Sequence, residues 1–167
     1  MELQKRKKLR LPEHDYAQNG MYFITMCTKD RQNLFWDVGA IINRPQDIPT
    51  LSDYGIIAEK TLFEIPKRYP HVRVDKYVIM PNHIHLILHL DNTDLDGGRI
   101  IFAPTTVSKI IQQYKSTVTK EIGMPLWQKS YYEHIIRNEK DYNDIWQYIH
   151  TNPEKWHEDK YNKFIMV

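Results

Sequence analysis

Along the chain the spacing of apolar positions switches between a period of two and a period near 3.6, and each switch marks an element. Tyr22 to Thr28 (YFITMCT), dense in aromatic and β-branched residues, predicts a first strand. After a stretch holding Gly39, Pro45 and Pro49, Thr50 and Asp53 stand three apart as in a capping box. Tyr54, Ile57, Ala58, Thr61, Leu62 and Ile65 then recur at helical spacing, and Pro66 is expected to stop that helix. From Val72 the period falls to two. Val72, Val74, Lys76, Val78 and Met80 alternate with Arg73, Asp75, Tyr77 and Ile79; Pro81-Asn82 interrupts, and His83 to Leu90 alternates again, so two strands joined as a tight hairpin are expected. A polar stretch with Gly97 and Gly98 leads to a second helix, marked by Val107, Ile110, Ile111, Tyr114 and Val118, which should end near Gly123 with Pro125 just beyond. Tyr131 to Arg137 predicts another strand. Asn138 and Asp141 suit the cap and third position of a last helix whose apolar stripe is Tyr142, Ile145, Trp146 and Ile149, up to Pro153.

The resulting order, β-α-β-β-α-β-α, predicts an α+β fold: a ferredoxin-like antiparallel sheet with two helices packed on one face, and one helix added at the end. No internal repeat is present. Such a plan hosts many functions, so function has to be argued from a site.

Composition narrows the setting. The 167 residues suit one domain, and 41% hydrophobic with 12% aromatic residues place the chain among globular proteins, excluding disordered and collagen-like classes. Cys27 is the only cysteine, which excludes an internal disulfide and a cysteine-based zinc site. No apolar stretch reaches the roughly 20 residues of a membrane span, and the basic N-terminus is not followed by a signal-like apolar run, so a cytoplasmic protein is expected. The net charge of +2 argues against a uniformly basic nucleic-acid binder, but it hides an asymmetry. Residues 5–10 hold Lys5, Arg6, Lys7, Lys8 and Arg10, so residues 1–20 read as a basic arm ahead of a single domain over 21–167, and the chain outside residues 5–10 is slightly acidic. A nucleic-acid surface on this chain must therefore be local.

Two constellations carry chemistry. In the strand His83 to Leu90, Ile84, Leu86, Leu88 and Leu90 fall on one face, and His83, His85 and His89 on the other. Imidazoles at i and i+2 of a strand point to the same side, the geometry in which both can bind one divalent ion; the competing reading is polar residues on the solvated face, and it stands for His89. In the last helix Tyr148 and Asn152 are four apart, one above the other, with Tyr148 on the margin of the apolar stripe. A tyrosine so placed can attack a phosphodiester, and an asparagine can lend an oxygen to a metal. Alternatively, Tyr148 is one of eleven tyrosines doing packing work, and Asn152, preceding Pro153, simply ends the helix.

Three motifs in order, YVIMPNHIHLIL (77–88), LWQKSYYEHIIRNEKDY (126–142) and YIHTNP (148–153), resemble the single-tyrosine HUH transposases, and among them the REP-associated tyrosine transposases. The resemblance covers roughly residues 20 to 156. It implies that His83 and His85 are the metal-binding histidines of the HUH motif, for Mg²⁺ or Mn²⁺, that Asn152 is the third, amide-type ligand, and that Tyr148, on the C-terminal helix, is the nucleophile. It further implies cutting of single-stranded DNA beside a hairpin through a 5′-phosphotyrosine link, with rejoining by the 3′-OH and without a nucleotide cofactor. Family members are dimers exchanging the tyrosine helix or monomers, so a homodimer is one expected state. Lys5, Arg6, Lys7, Lys8, Arg73, Lys109, Gln112 and Lys115 are candidate DNA contacts, and Trp127, Tyr131 and Tyr132 are aromatics available either for stacking on bases or for the core. The alternative class is a non-catalytic ferredoxin-like nucleic-acid-binding protein derived from a transposase.

Overall fold

The computed structural model describes residues 19–37, 50–92 and 105–158. Most of the expected basic arm, with Lys5, Arg6, Lys7 and Lys8, lies outside the described residues. The strands are β1 (Gly20–Cys27), β2 (Val72–Met80), β3 (His83–Leu90) and β4 (Tyr132–Ile136), and the helices α1 (Asp53–Arg68), α2 (Val107–Ile122) and α3 (Glu139–Thr151). All strand pairs are antiparallel and the order is β2-β3-β1-β4, the ferredoxin-like arrangement expected from the element order.

The period-two pattern of the central strands sorts their side chains onto two faces. On one, Ile84, Leu86, Leu88 and Leu90 of β3 join Tyr22, Ile24 and Met26 of β1, covered by Ala58, Leu62 and Ile65 of α1 and by Val107, Ile110, Ile111, Tyr114 and Val118 of α2. On the other, Phe23 and Ile87 meet Ile149 of α3, with Met21, Val78, Ile136, Tyr142 and Ile145 around them. The helix that ends the expected order therefore lies across the face that α1 and α2 leave open.

Local chemistry moves two boundaries and one strand register from their expected places. The cap of α1 is Ser52, not Thr50: the Gly55 N–H donates to Ser52 Oγ at 3.2 Å while the same hydroxyl donates to the Leu34 carbonyl at 2.6 Å. Residue 55 must be glycine there, since a Cβ would lie 2.3 Å from the Phe35 carbonyl oxygen. Pro66 does not stop α1, which runs on to Arg68. Proline forfeits one intrahelical bond, but Leu62 and Ile65 are locked in the core and the Tyr69 N–H still donates to the Ile65 carbonyl at 2.9 Å, so packing carries the helix past it. In β2 the single alternation is broken by a bulge between Val74 and Lys76. Val72 and Val74 stand opposite Leu90 and Leu88, whereas Tyr77 and Ile79 stand opposite Leu86 and Ile84, so the inward register changes parity at Asp75. Elsewhere the signals are met: α2 ends on Gly123 at φ 82°, and Asn138 caps α3 by accepting from the Asp141 N–H at 2.9 Å.

Polar fastenings fix where α3 sits. The Asp141 carboxylate accepts from the Arg137 N–H at 3.2 Å and meets His134 Nε2 of β4 at 2.9 Å. Burial alone raises the Asp141 carboxyl, but the bonds and charges of His134 and Arg137 outweigh it and hold it below its ordinary value. At the far edge the Tyr142 hydroxyl donates to Asp75 at 2.6 Å, and the Lys76 amine lies 4.1 Å from the Trp146 ring centre. The bulge thus has a use: it turns Asp75 and Lys76 toward α3. No helix of the described residues is long and apolar enough to cross a membrane.

Candidate functional site

The β2–β3 hairpin turns on Pro81 and Asn82, with Met80 paired to His83. Neither turn residue has a positive φ, in keeping with the angle proline imposes, so the turn is not of the primed type that hairpins favour. It is held from outside instead. The Thr28 N–H and hydroxyl both donate to the Asn82 carbonyl, at 2.9 and 3.1 Å, and the Leu34 and Phe35 N–H groups both donate to the Pro81 carbonyl. The first residue of β3 is thereby placed by the segment that follows β1.

His83 and His85 point to the α3 face, both almost fully buried, with ring centres 4.5 Å apart. Each ring is oriented by a neighbour. His83 Nδ1 faces Asn82 Oδ1 at 2.9 Å, and since the Asn82 amide nitrogen donates to the Arg31 carbonyl at 3.3 Å, its oxygen is the atom turned to the imidazole. An amide oxygen only accepts, so His83 donates to it through Nδ1, and Nε2 is the ring nitrogen this bond leaves unused. His85 Nδ1 lies 2.8 Å from Thr25 Oγ1, its directly opposite residue on β1, and Phe23 stacks on the ring at 5.3 Å.

From the other side comes α3. The Tyr148 hydroxyl lies 3.3 Å from His85 Nε2, and its ring stands edge-on to Phe23 at 6.1 Å, with 40% of the residue exposed. Asn152 ends the helix but keeps helical angles (φ −58°, ψ −42°), so it stands one turn beyond Tyr148 on the same side despite Pro153. It is 4% exposed, and its Oδ1 has no hydrogen-bond partner among the described residues. Four residues further, Trp156 packs against His83 at 6.1 Å between ring centres. Asn152 is therefore bracketed in the chain by a tyrosine on His85 and a tryptophan on His83. Among the described residues no three His, Cys, Asp or Glu side chains stand together. The two imidazoles and Tyr148 meet on this face, and Asn152 follows one helical turn after Tyr148.

Other expected site residues lie apart. Arg73 meets His89 at the far end of β2 and β3, four residues along the strand from His85 or about 13 Å. Lys109 and Gln112 are exposed on α2, which packs on the opposite face of the sheet. Lys115 is engaged internally: its amine donates to the Gln128 and Ser130 carbonyls at 2.9 and 3.0 Å and lies over the Trp127 and Tyr131 rings, and burial lowers its pKa to about 8. Sequence reasoning passed over Thr25, Asn82, Phe23 and Trp156. Only Asn82, directly before His83, carried any local signal; the others reach the site through partners distant in sequence.

Comparison with known proteins bears on the family and the fold. Residues 16–152 match the family model described as IS200-like transposase, a span that runs from before β1 to Asn152. An uncharacterized protein of Haemophilus influenzae is 36% identical over 172 residues, covering 93% of this chain and 92% of that protein. The REP-associated tyrosine transposase of Escherichia coli K12 is 32% identical over 90 residues, 53% of this chain and 48% of that one. A solved structure of a REP-associated tyrosine transposase bound to a REP hairpin has a TM-score of 0.61 at 24% identity, covering 90% of this chain and 76% of the other, and establishes the likeness of fold. A tyrosine laid on a paired-histidine strand within a matched span of this extent leaves one conclusion: the chain belongs to the IS200-like transposase family.

Proposed function

We propose that the protein cuts and rejoins single-stranded DNA beside a hairpin, with Tyr148 as the nucleophile and a divalent cation, Mg²⁺ or Mn²⁺, held by His83, His85 and Asn152. The observation that carries this reading is the Tyr148 hydroxyl 3.3 Å from His85 Nε2. The donor chemistry fits the cation: the bonds to Asn82 and Thr25 occupy both Nδ1 atoms, His85 Nε2 faces Tyr148, and the buried Asn152 oxygen lacks a partner among the described residues. When bound, the cation neutralises charge on the scissile phosphate and eases loss of the phenol proton.

The steps belong to the chain. Phe23 holds the Tyr148 ring edge-on, which sets the direction of its oxygen. That oxygen attacks phosphorus, the P–O3′ bond breaks, and the 3′ oxygen leaves and takes up a proton to become a free hydroxyl. The 5′ side remains esterified to Tyr148. Because the phosphotyrosine keeps the energy of the original ester, the reverse attack by a 3′-OH reseals the strand without ATP. Tyr148 meets His85 of its own chain, which supports a site built within one copy.

The test is incubation with a hairpin-bearing, single-stranded oligonucleotide labelled at its 3′ end. Divalent ions should produce a labelled protein band that survives denaturation, and Tyr148→Phe should abolish it. Binding of the hairpin without any adduct would instead identify a non-catalytic DNA-binding protein.

A further inference from the structure

Among the described residues, Ile56, Phe63, Tyr132 and Tyr148 are the large hydrophobic side chains left exposed. Two of them are tyrosines that lean on the same ring. Phe23 contacts Tyr148 edge-on at 6.1 Å and Tyr132 at 6.3 Å and 72°. The register places Tyr132 opposite Thr25, and Thr25 opposite His85, so Tyr132 lies two strands from the histidine that Tyr148 touches, about 9.5 Å across the sheet on the same face. Tyr132 is 47% exposed, and its hydroxyl has no hydrogen bond to a described residue. One side of the ring is in contact with Phe23 and the other is open to water.

The neighbouring aromatics differ. Trp127 packs on Phe35 and Tyr114, Tyr131 shares a hydrogen bond with Ser108, and Lys115 lies over both rings. They are used by the fold. Tyr132 follows Tyr131 directly on an edge strand and points the other way, toward the active face, with exposed Lys129 and Arg137 before and after β4.

We propose that Tyr132 is a stacking platform for an unpaired DNA base within about three nucleotides of the phosphate that Tyr148 attacks, this spacing following from a rise of about 3.4 Å per nucleotide along a strand. The inference rests on the cleavage reading above. An aromatic face stacks on any base, so the platform fixes the position of the strand and does not read its sequence. Phe23 makes the arrangement stiff, since one ring sets both the nucleophile and the platform.

The experiment is a double-mutant cycle in the Tyr148→Phe background, so that binding is read without cutting. Affinity for the hairpin oligonucleotide is measured by fluorescence anisotropy, with an abasic site walked over three nucleotides on each side of the cut. At one position the abasic site should weaken binding about tenfold with Tyr132 present and leave it unchanged with Tyr132→Ala, while Tyr132→Phe restores the sensitivity. Equal abasic profiles for Tyr132 and Tyr132→Ala at every position overturn the platform. Thermal melts check that Tyr132→Ala is folded. The adduct assay on the wild-type protein separates the two claims: adduct without coupling removes the platform alone, whereas no adduct and no binding remove both.

Discussion

The two faces of the sheet are built from the same strands and do different work. Under α1 and α2 every inward residue of β3 is an aliphatic side chain, and the face is closed by two helices. Under α3 the same strand presents two imidazoles, the apolar cluster shrinks to Phe23, Ile87 and Ile149, and the helix is held by charged and hydroxyl groups at its margins. The difference separates the groups that stabilise the fold from those the proposed chemistry uses. Aliphatic burial contributes roughly 1.5–3 kcal/mol per side chain and admits a polar atom only when it is hydrogen-bonded, as the Tyr114 hydroxyl is to the Ala58 carbonyl, whereas a site needs polar atoms whose orientation is fixed. Separating them by a sheet one residue thick lets neighbouring positions such as Leu86 and His85 serve opposite ends.

Substitutions should split along that division. His83→Ala is expected to lower cleavage by about 10²–10³-fold or more, the scale of losing a positioned electrostatic group. Its thermal stability should fall by only about 1 kcal/mol, the cost of leaving Asn82 without its imidazole. Leu86→Ala, one residue away on the other face, should show the converse: a loss of about 2–5 kcal/mol in denaturant unfolding, with cutting retained by the molecules still folded. Equal effects of the two on stability would break the comparison.

Asn82→Ala sharpens it further. The residue touches neither substrate nor cation in this account, and acts by holding His83 in one tautomer. Manganese affinity, read by electron paramagnetic resonance, should drop about 10–100-fold, and the His83 nitrogen shifts should report a mixture of tautomers. Unchanged affinity would reduce Asn82 to a turn residue.

The smallest effect belongs to the α2 side. Lys115 has a folded pKa of about 8, below its unfolded value, so the unfolded state binds more protons between pH 8 and about 10.4 and stability gains with rising pH in that window. The melting temperature of wild type relative to Lys115→Met should rise from pH 7 to pH 9.5, without a matching change in DNA cutting. A fall would contradict the burial argument. On the α3 side the slope has the same sign in an acid window: Asp141 contributes stability above its unfolded pKa near 3.9 that is lost as pH drops through its lower folded value, so the contacts it makes with α3 should loosen in acid.

The division was partly legible in the amino-acid pattern. His83-Ile84-His85-Leu86 shows both faces at once because a strand's period is fixed at two, and the cap at Asn138 and the stop at Gly123 are local chemistry that needs no tertiary context. The bulge at Asp75 was not legible, because it answers to Tyr142 on a helix 67 residues away. Nor was the passage of α1 through Pro66, where core packing overrides a local rule. Thr25 and Phe23 look like ordinary strand residues, and only the pairing of β1 with β3 makes one an orienting partner and the other a support for Tyr148.

The central claim is that this one tyrosine carries the cut DNA. Its most direct test is peptide mapping by mass spectrometry after reaction with the hairpin oligonucleotide and Mn²⁺. The account predicts a nucleotide joined through its 5′-phosphate to the peptide bearing Tyr148, with a free 3′-OH on the released fragment. An adduct on any other residue, the nearby Tyr132 included, or cleavage that leaves no covalent intermediate, would contradict it.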